Sequence, residues 1–136
     1  MEKRGQVAIE YVTILGFVLV TTLVMTFVFT AHTGTLNDAV AGHQIERIGE
    51  KIVDTAEAMY FIGAPSRTTL KLYFPPGILN ATVSGQELVF FVQTSRGHDE
   101  IVKYSQVNIT GTVPTTAGIH YVQVEAENTR VVFSTS

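Results

Sequence analysis

The sequence predicts an α+β protein in which one long N-terminal helix is followed by an antiparallel β-sandwich or small barrel. Residues 7–31 are almost entirely apolar, and residues 36–59 then repeat apolar side chains at steps of three and four, as a helix does. From residue 67 onwards the apolar repeat changes to two, which is typical of strands with one buried face. No helical pattern interrupts this second part, so its six or seven short strands favour an antiparallel arrangement.

The apolar segment follows Lys3 and Arg4 and contains a single charged side chain, Glu10. A helix of about 25 residues, rising 1.5 Å per residue, spans a bilayer core of about 30 Å. The segment is too long for an ordinary secretory signal, whose apolar region has about 7–15 residues. The two cations predict a precursor in the cell membrane with its N-terminus in the cytoplasm and its C-terminal part outside.

Two features distinguish this segment from an ordinary anchor. Gly5 and Gln6 lie between the cations and the apolar residues, where a backbone without side-chain obstruction is open to a protease at the inner membrane face. A carboxylate such as that of Glu10 costs about 2.5–3.5 kcal/mol at the centre of a span, so it needs a partner. Lys3 or Arg4 would serve weakly by snorkelling, and a new amine at Gln6 would serve better. Alternatively, Glu10 lies in the headgroup region of a plain anchor.

The spacing of Gln6 and Glu10 suggests how such a partner is supplied. In a helix the two residues lie about 6 Å apart along the axis, so Glu10 reaches the amine of a neighbouring subunit, shifted by about one turn, more easily than its own. Each added subunit would pair one carboxylate with one amine, and unpaired buried charges would penalise other registers. A non-closing contact of this kind generates a filament.

Residues 5–11, G-Q-V-A-I-E-Y, resemble the class III signal peptide of archaeal type IV pilin precursors. That motif is Gln, any residue, a small residue, any residue, Glu and an aromatic residue, directly after the cleavage point; Ala8 is the small residue here. The resemblance implies a leader of residues 1–5, cleaved between Gly5 and Gln6 by a prepilin peptidase. It also implies a type IV pilin-like fold, in which assembly depends on Gln6, Glu10 and Tyr11.

The resemblance further implies a homopolymer built through the N-terminal helices, which leaves the membrane to form an extracellular surface filament of the kind used in adhesion. Residues 6–31 would form the membrane-spanning and then filament-core helix. The apolar side chains assigned to that core are Val7, Ile9, Ile14, Leu15, Phe17, Leu19, Leu23 and Phe27.

Residues 32–66 are expected to continue as an amphipathic helix that ends at Gly63 and Pro65. Gly34 marks a bend, a melted turn or a short linker. The charged side chains of this part are expected to face solvent. The apolar stripe expected to pack on the following domain contains Leu36, Val40, Ile45, Ile48, Ile52, Ala56 and Met59.

Residues 67–136 are expected to form the β-domain. Predicted turns lie at residues 75–77, at Gly85 and over residues 96–99, and a hairpin joins residues 119–126 to 130–134. Asn80 and Asn108 each begin an N-glycosylation sequon beside a predicted turn, and on an external surface they would be able to carry N-glycans.

Several function classes receive no support from the sequence. The absence of Cys excludes disulfides, thiolate metal sites and a Cys nucleophile. No G-x-S-x-G, H-E-x-x-H or P-loop motif is present, so no enzyme, cofactor or metal is predicted. The net charge of −3, without a basic run beyond the N-terminus, argues against a nucleic-acid partner.

The leading interpretation is therefore a structural filament subunit. One alternative is a minor pilin or archaellum-associated single-span membrane protein with an extracellular β-domain. The abundance of the protein in sheared surface filaments would distinguish this alternative from the main filament subunit. Another is a singly anchored receptor or enzyme. That alternative needs a polar pocket or a metal cluster, which the sequence does not indicate, and it leaves Gly5, Gln6 and Glu10 unexplained.

Overall fold

The structure, a computed structural model, describes residues 2–135, without the side chains of residues 2–4 and 35. Lys3 and Arg4, which are predicted to stay in the cytoplasm, therefore have side chains outside the described part. Met1 of the predicted leader also lies outside it. The described residues form one helix and seven strands, which confirms the α+β layout. The elements are α1 (Glu2–Ile62), β1 (Arg67–Phe74), β2 (Ile78–Ser84), β3 (Glu87–Thr94), β4 (Gly97–Tyr104), β5 (Ile109–Gly111), β6 (Gly118–Ala126) and β7 (Val131–Thr135).

The chain divides into two units, one ending at Asn37 and the other beginning at Asp38. The described residues of the first unit are all helical. The second unit contains the C-terminal part of α1 and all seven strands. Because residues 32–37 are helical, the predicted melted turn or linker around Gly34 is wrong.

The C-terminus of α1 is set by Gly63, whose φ of 96° lies in the left-handed region that glycine adopts without a steric penalty. Its N–H donates to the carbonyl oxygens of Met59 at 3.2 Å and Tyr60 at 3.1 Å, which satisfies groups that the helix end leaves unpaired. Pro65 follows and cannot continue the helix. The glycine and the proline thus terminate α1 as the sequence predicts.

The strands form two separate sheets, with the orders β1-β6-β7-β5 and β2-β3-β4, so the alternative of a small barrel is wrong. Every pairing is antiparallel except that of β5 with β7, which is parallel. The two strands approach closely at Gly111, where an added Cβ would collide with the backbone of Phe133. Only a residue without a side chain fits there, and its φ of 120° favours glycine as well.

Two strands begin earlier than their sequence patterns indicate, since the apolar alternation predicts β2 from Ala81 and β4 from Ile101. β2 already starts at Ile78, and Asn80 lies inside the strand. A bulge between Ile78 and Asn80 interrupts the alternation of buried and exposed side chains, so the sequence pattern does not indicate this start. The turn predicted over residues 96–99 is present, but it lies at residues 95–96, so the predicted bounds are wrong. Gly97 pairs with Thr94, which leaves a two-residue loop of Ser95 and Arg96 between β3 and β4.

One hydrophobic core joins the helix of the second unit to both sheets. The predicted helical stripe is buried only from Ile45 onwards, since Leu36 and Val40 are 66% and 58% exposed. The buried helical side chains are Ile45, Ile48, Ile52, Val53 and Ala56. The largest buried strand side chains are Phe74, Phe90, Phe133, Leu88 and Ile109.

Gly49 tests how closely α1 packs on the three-stranded sheet. A Cβ at Gly49 would lie 2.9 Å from Lys103 Cγ and 3.5 Å from Phe90 Cε2, whereas a Cβ at Gly42 meets nothing within 4 Å. We expect Gly49→Val to lower the free energy of unfolding by about 1–3 kcal/mol because it overpacks this contact. Gly42→Val, measured in the same urea titration, should change it by less than about 1 kcal/mol, because the new side chain meets no neighbour. Equal effects would contradict the packing described here.

Candidate functional site

The apolar part of α1, residues 7–31, presents its side chains outwards on every side. Sixteen large apolar side chains between residues 7 and 29 are 48–75% exposed. They include every residue assigned to the filament core from the sequence: Val7, Ile9, Ile14, Leu15, Phe17, Leu19, Leu23 and Phe27. A helix that is apolar all round is covered by lipid or by other chains rather than by water.

Intrinsic propensity does not explain why this segment is helical. Thirteen of the 26 residues from 6 to 31 are Val, Ile or Thr, whose branched side chains lose rotamer freedom in a helix. In an apolar medium, by contrast, a single segment satisfies its own backbone donors and acceptors only as a helix. The composition therefore fits a helix that is stabilised by its apolar surroundings.

The threonine hydroxyls of this segment are paired within the helix. Thr13, Thr21, Thr22 and Thr26 each donate from Oγ1 to the carbonyl oxygen four residues earlier at 2.8 Å. Thr30 donates to Phe27 O at 3.0 Å. A hydroxyl moved out of water without a partner costs about 1–3 kcal/mol, and these bonds avoid that cost. The segment is therefore able to lose its water without leaving a threonine unpaired.

Glu10 remains as the charged group of the segment. Its side chain is exposed, and among the side chains that the structure describes it has no ion-pair partner. Gly5, Gln6 and Tyr11, the other predicted cleavage and assembly residues, are exposed as well. The predicted pairing of Glu10 with an amine of another subunit involves a second chain and stays a prediction.

By its length and composition, helix α1 is long and apolar enough to cross a membrane. Among the described residues it is the one helix that meets this criterion. None of its most apolar window is buried within the chain. A signal sequence near an N-terminus meets the same criterion of length and composition. These observations support the part of the predicted localisation that places residues 7–31 across a bilayer.

The two sequons lie in different surroundings. Asn80 is exposed within β2, and its Oδ1 accepts a hydrogen bond from Ala81 N at 2.9 Å. Asn108 is exposed directly before β5, and its carbonyl oxygen accepts from Val131 N at 2.8 Å. Asn108 directly follows the bend at residues 106–107, whereas Asn80 lies inside β2, three residues after the turn at residues 76–77.

A group of carboxylates on the second half of α1 holds the segment that contains β4. We call it the carboxylate clamp; it comprises Asp38, Glu46, Glu50 and Glu57 of the helix. The spacings of four and seven residues place Glu46, Glu50 and Glu57 on one helix face. The charged side chains of this part of the helix are exposed or half-buried, as the sequence predicts, and four carboxylates of α1 in addition bind the segment that contains β4.

The partners of the clamp are a loop, a lysine and a backbone amide. Asp38 accepts hydrogen bonds from the backbone N–H of Ser95 at 2.8 Å and from its hydroxyl. Lys103 Nζ lies 3.0 Å from Glu46 Oε1 and 2.8 Å from Glu50 Oε1, with only 19% of its side chain exposed.

The fourth carboxylate, Glu57, accepts from the backbone N–H of Gln106 at 2.8 Å. Sequence reasoning missed the whole clamp, because its partners are 49–57 residues apart and two of the donors are backbone groups.

The clamp changes the proton affinity of its members. Hydrogen bonds from the side chain and then the backbone of Ser95 lower the pKa of Asp38 below its ordinary value of 3.8. The hydrogen bond and the charge of Lys103 lower the pKa of Glu46 below 4.5. The hydrogen bond to Glu50 is the main cause that raises the pKa of Lys103 above 10.5.

Comparisons with protein-family models, with curated proteins and with solved structures gave no match. Within the described residues, no three His, Cys, Asp or Glu side chains are arranged to hold a metal ion. Function is therefore inferred from the residues of the apolar helix and from the motif that precedes it.

The clamp predicts how stability depends on pH. The folded pKa values of Asp38 and Glu46 are below the unfolded ones, so their contribution is complete above about pH 4.5 and is lost as the pH falls through the folded values. Lys103 has the opposite sign, and its contribution is lost as the pH rises past its raised pKa. Urea midpoints of the detergent-solubilised chain between about pH 2 and 11 measure both limbs.

Two variants separate the parts of the clamp. Ser95→Ala should weaken the acid limb, and Lys103→Met should weaken both limbs. Lys51→Met is the control: it removes an exposed lysine of α1 and should leave the dependence of stability on pH unchanged. Lys103→Met with an unaltered alkaline limb would contradict the assignment.

Proposed function

We propose that the chain is the membrane-inserted precursor of a structural subunit of an archaeal type IV pilus-like surface filament. A prepilin peptidase cleaves it before Gln6, and the mature chain polymerises through its N-terminal helix. The observation that carries this proposal is a helix apolar on all sides, with one charge at Glu10, directly after the sequence K-R-G-Q. We also propose that the α+β fold of the chain is a type IV pilin-like fold.

The energies of the helix support a segment that moves from lipid to a protein core. Burying a large apolar side chain contributes about 1.5–3 kcal/mol, and sixteen of them far outweigh the cost of about 2.5–3.5 kcal/mol for inserting one carboxylate. The precursor is therefore stable in the membrane despite Glu10. In the filament the apolar side chains of neighbouring copies take the place of lipid.

Glu10 supplies the specificity that an apolar surface lacks. Apolar contacts are non-directional, so many registers between two such helices have similar energies. A carboxylate that needs the new amine at Gln6 of a neighbour favours one register, because the other registers bury both charges unpaired at a cost of several kcal/mol. Cleavage thus creates the partner of Glu10 and makes assembly depend on processing.

The second unit has its own hydrophobic core, which includes helical residues only from Ile45 onwards. Its fold does not draw on the apolar residues 7–31, which remain available for contacts between subunits. In the filament the β-domain coats the helical core and presents the outer surface. That surface carries the two sequons and any adhesive contacts.

Gly5→Val should block cleavage, because a branched side chain obstructs the backbone that the peptidase reaches. Neither Gly5 nor Gly16 has an atom within 4 Å of a built Cβ, so valine fits the fold at both positions and Gly16→Val is the control. N-terminal sequencing and intact mass of the protein from native cells are the measurements. We expect the wild type and Gly16→Val to start at Gln6 and Gly5→Val to keep residues 1–5. A wild-type chain that keeps its first five residues on the cell surface would overturn the proposal.

Glu10→Gln should leave the protein processed and membrane-inserted but unable to assemble, because the neighbour's amine then has no charged partner. A broken buried pair costs about 3–5 kcal/mol, so filament mass should fall at least about 100-fold. Thr13→Val, one turn along the helix, removes a hydroxyl that is bonded only to Ile9 O and should assemble normally. Normal filaments with Gln at position 10 would show that the pairing is not what drives assembly.

A further inference from the structure

The outer face of the three-stranded sheet carries a small apolar area beside the Asn80 sequon. In β3 the side chains of Leu88, Phe90 and Val92 are buried in the core, whereas Phe91 points to the opposite face and is half-buried. Phe91 is the cross-strand partner of Asn80, so the two side chains lie on the same face of the sheet. Opposite residues of antiparallel strands have their Cβ atoms about 4.5–5.5 Å apart.

The apolar area extends from Phe91 to Val89, two residues away on the same strand, and to Val102, the diagonal neighbour of Phe91 in β4. Val89 of β3 and Val102 of β4 are paired with each other and half-buried on the same outer face. Thr82 of the sequon is exposed and pairs with Val89 on the other side. Asn80, Phe91, Thr82 and Val89 thus form a square on the sheet surface, two polar sequon residues beside two apolar ones.

The Asn80 sequon is accessible on the folded chain. β2 is an edge strand of its sheet, so one side of the sequon is unpaired. Asn80 Oδ1 accepts from Ala81 N, and no other hydrogen bond of this side chain occurs within the described residues, which leaves Nδ2 available.

The Asn108 sequon is enclosed at its second and third residues. Ile109 is 1% exposed and its N–H donates to Gly85 O at 2.6 Å. Thr110 is half-buried and pairs with Val132 of β7. The backbone of this sequon is therefore held on both sides, although Asn108 itself is exposed.

We propose that the chain is N-glycosylated at Asn80 and not at Asn108, and that the first sugar packs its apolar face on the Phe91 ring. The modification rests on the export that the proposed function requires. The donor is an oligosaccharide linked through phosphate to a polyprenyl lipid. The bond between sugar C1 and the carrier phosphate oxygen breaks, the bond between C1 and Nδ2 forms, and Nδ2 loses a proton.

The physical reason for the packing is that a pyranose ring has an apolar face of C–H groups above its ring carbons. Aromatic rings carry negative charge density on their faces and attract such C–H groups as well as hiding apolar area. Asn80 places its first sugar within reach of Phe91, because the two residues are directly paired across β2 and β3. The partner of Phe91 on the opposite side is Glu100 of β4, so the apolar area ends at a carboxylate on that side. The glycan thereby covers the half-buried area of Phe91 and Val89.

Site occupancy tests the first part of the inference. Peptide mass spectrometry of the wild-type protein from its native cells should find a glycan on Asn80 and unmodified Asn108. Thr82→Ala should abolish the modification while retaining Asn80, and Thr82→Ser should keep it because the sequon remains. An unmodified Asn80, or a glycan at Asn108, would overturn the assignment.

A double-mutant comparison tests the packing on Phe91. Hydrogen exchange of residues 87–94 should be about fivefold slower in the glycosylated wild type than in Thr82→Ala, the factor that corresponds to about 1 kcal/mol. In the background of Phe91→Thr, the glycan should change the exchange rate less than about twofold. The same fivefold effect without the ring would show that the sugar does not pack on Phe91.

Failure of this inference is distinguishable from failure of the proposed function. A chain that starts at Gln6, forms filaments and lacks a glycan on Asn80 would overturn the inference alone. A glycosylated chain that keeps its first five residues would overturn the filament proposal but support the modification, since only export is required for it.

Discussion

Residues 7–29 carry sixteen large apolar side chains, and nothing in the described part of the chain covers them. The free energy of leaving so much apolar surface in water exceeds what a domain of this size gains from folding. This surface has to be covered from outside, first by lipid and then, as we propose, by other copies. The segment has paired threonines and a single charge because each unpaired polar group would add to the free-energy cost of leaving water.

The helix therefore has two parts with different physical bases. In the first part the surroundings make the segment helical, because half of its residues are β-branched. In the second part the helix is held by its own chain through Ile45, Ile52 and Ala56 in the core and through the carboxylate clamp. Only the second part has to fold correctly in water. In the filament that we propose, the second unit would therefore stay unchanged while other copies replace the lipid around the first.

The sequence predicted those features that depend on local periodicity. The change of period from 3.6 to 2 and the buried positions from Ile45 to Ala56 report which face of an element is apolar. The end of the helix at Gly63 is equally local, because it depends on the backbone freedom of one glycine. Periodicity does not report what lies against that face, which is why Leu36 and Val40 fit the stripe and are nevertheless exposed. The same pattern indicated the alternation of the strands but left the choice between a barrel and two sheets open.

The features that the sequence did not predict depend on contacts between distant residues. Asp38 and Ser95 are 57 positions apart, and Glu57 binds a backbone N–H that no side-chain pattern can indicate. The bulge before Asn80 and the parallel pairing of β5 with β7 likewise arise from how strands meet rather than from their composition. The predicted roles of Gly5, Gln6 and Glu10 rest on a short motif and concern a peptidase and neighbouring subunits, so a single chain does not decide them.

The strand order has a consequence for crowded copies of the chain. The edge strands of the two sheets are β1, β5, β2 and β4. Backbone groups that are unpaired at such edges are able to pair with those of neighbouring molecules and cause aggregation. Each edge carries a feature that opposes this. β1 presents Arg67 and Lys71, β4 presents Asp99 and Glu100, β2 is bulged, and β5 has only three residues. Lateral growth through the sheets is thereby disfavoured, which in the filament that we propose would leave ordered association to the helix.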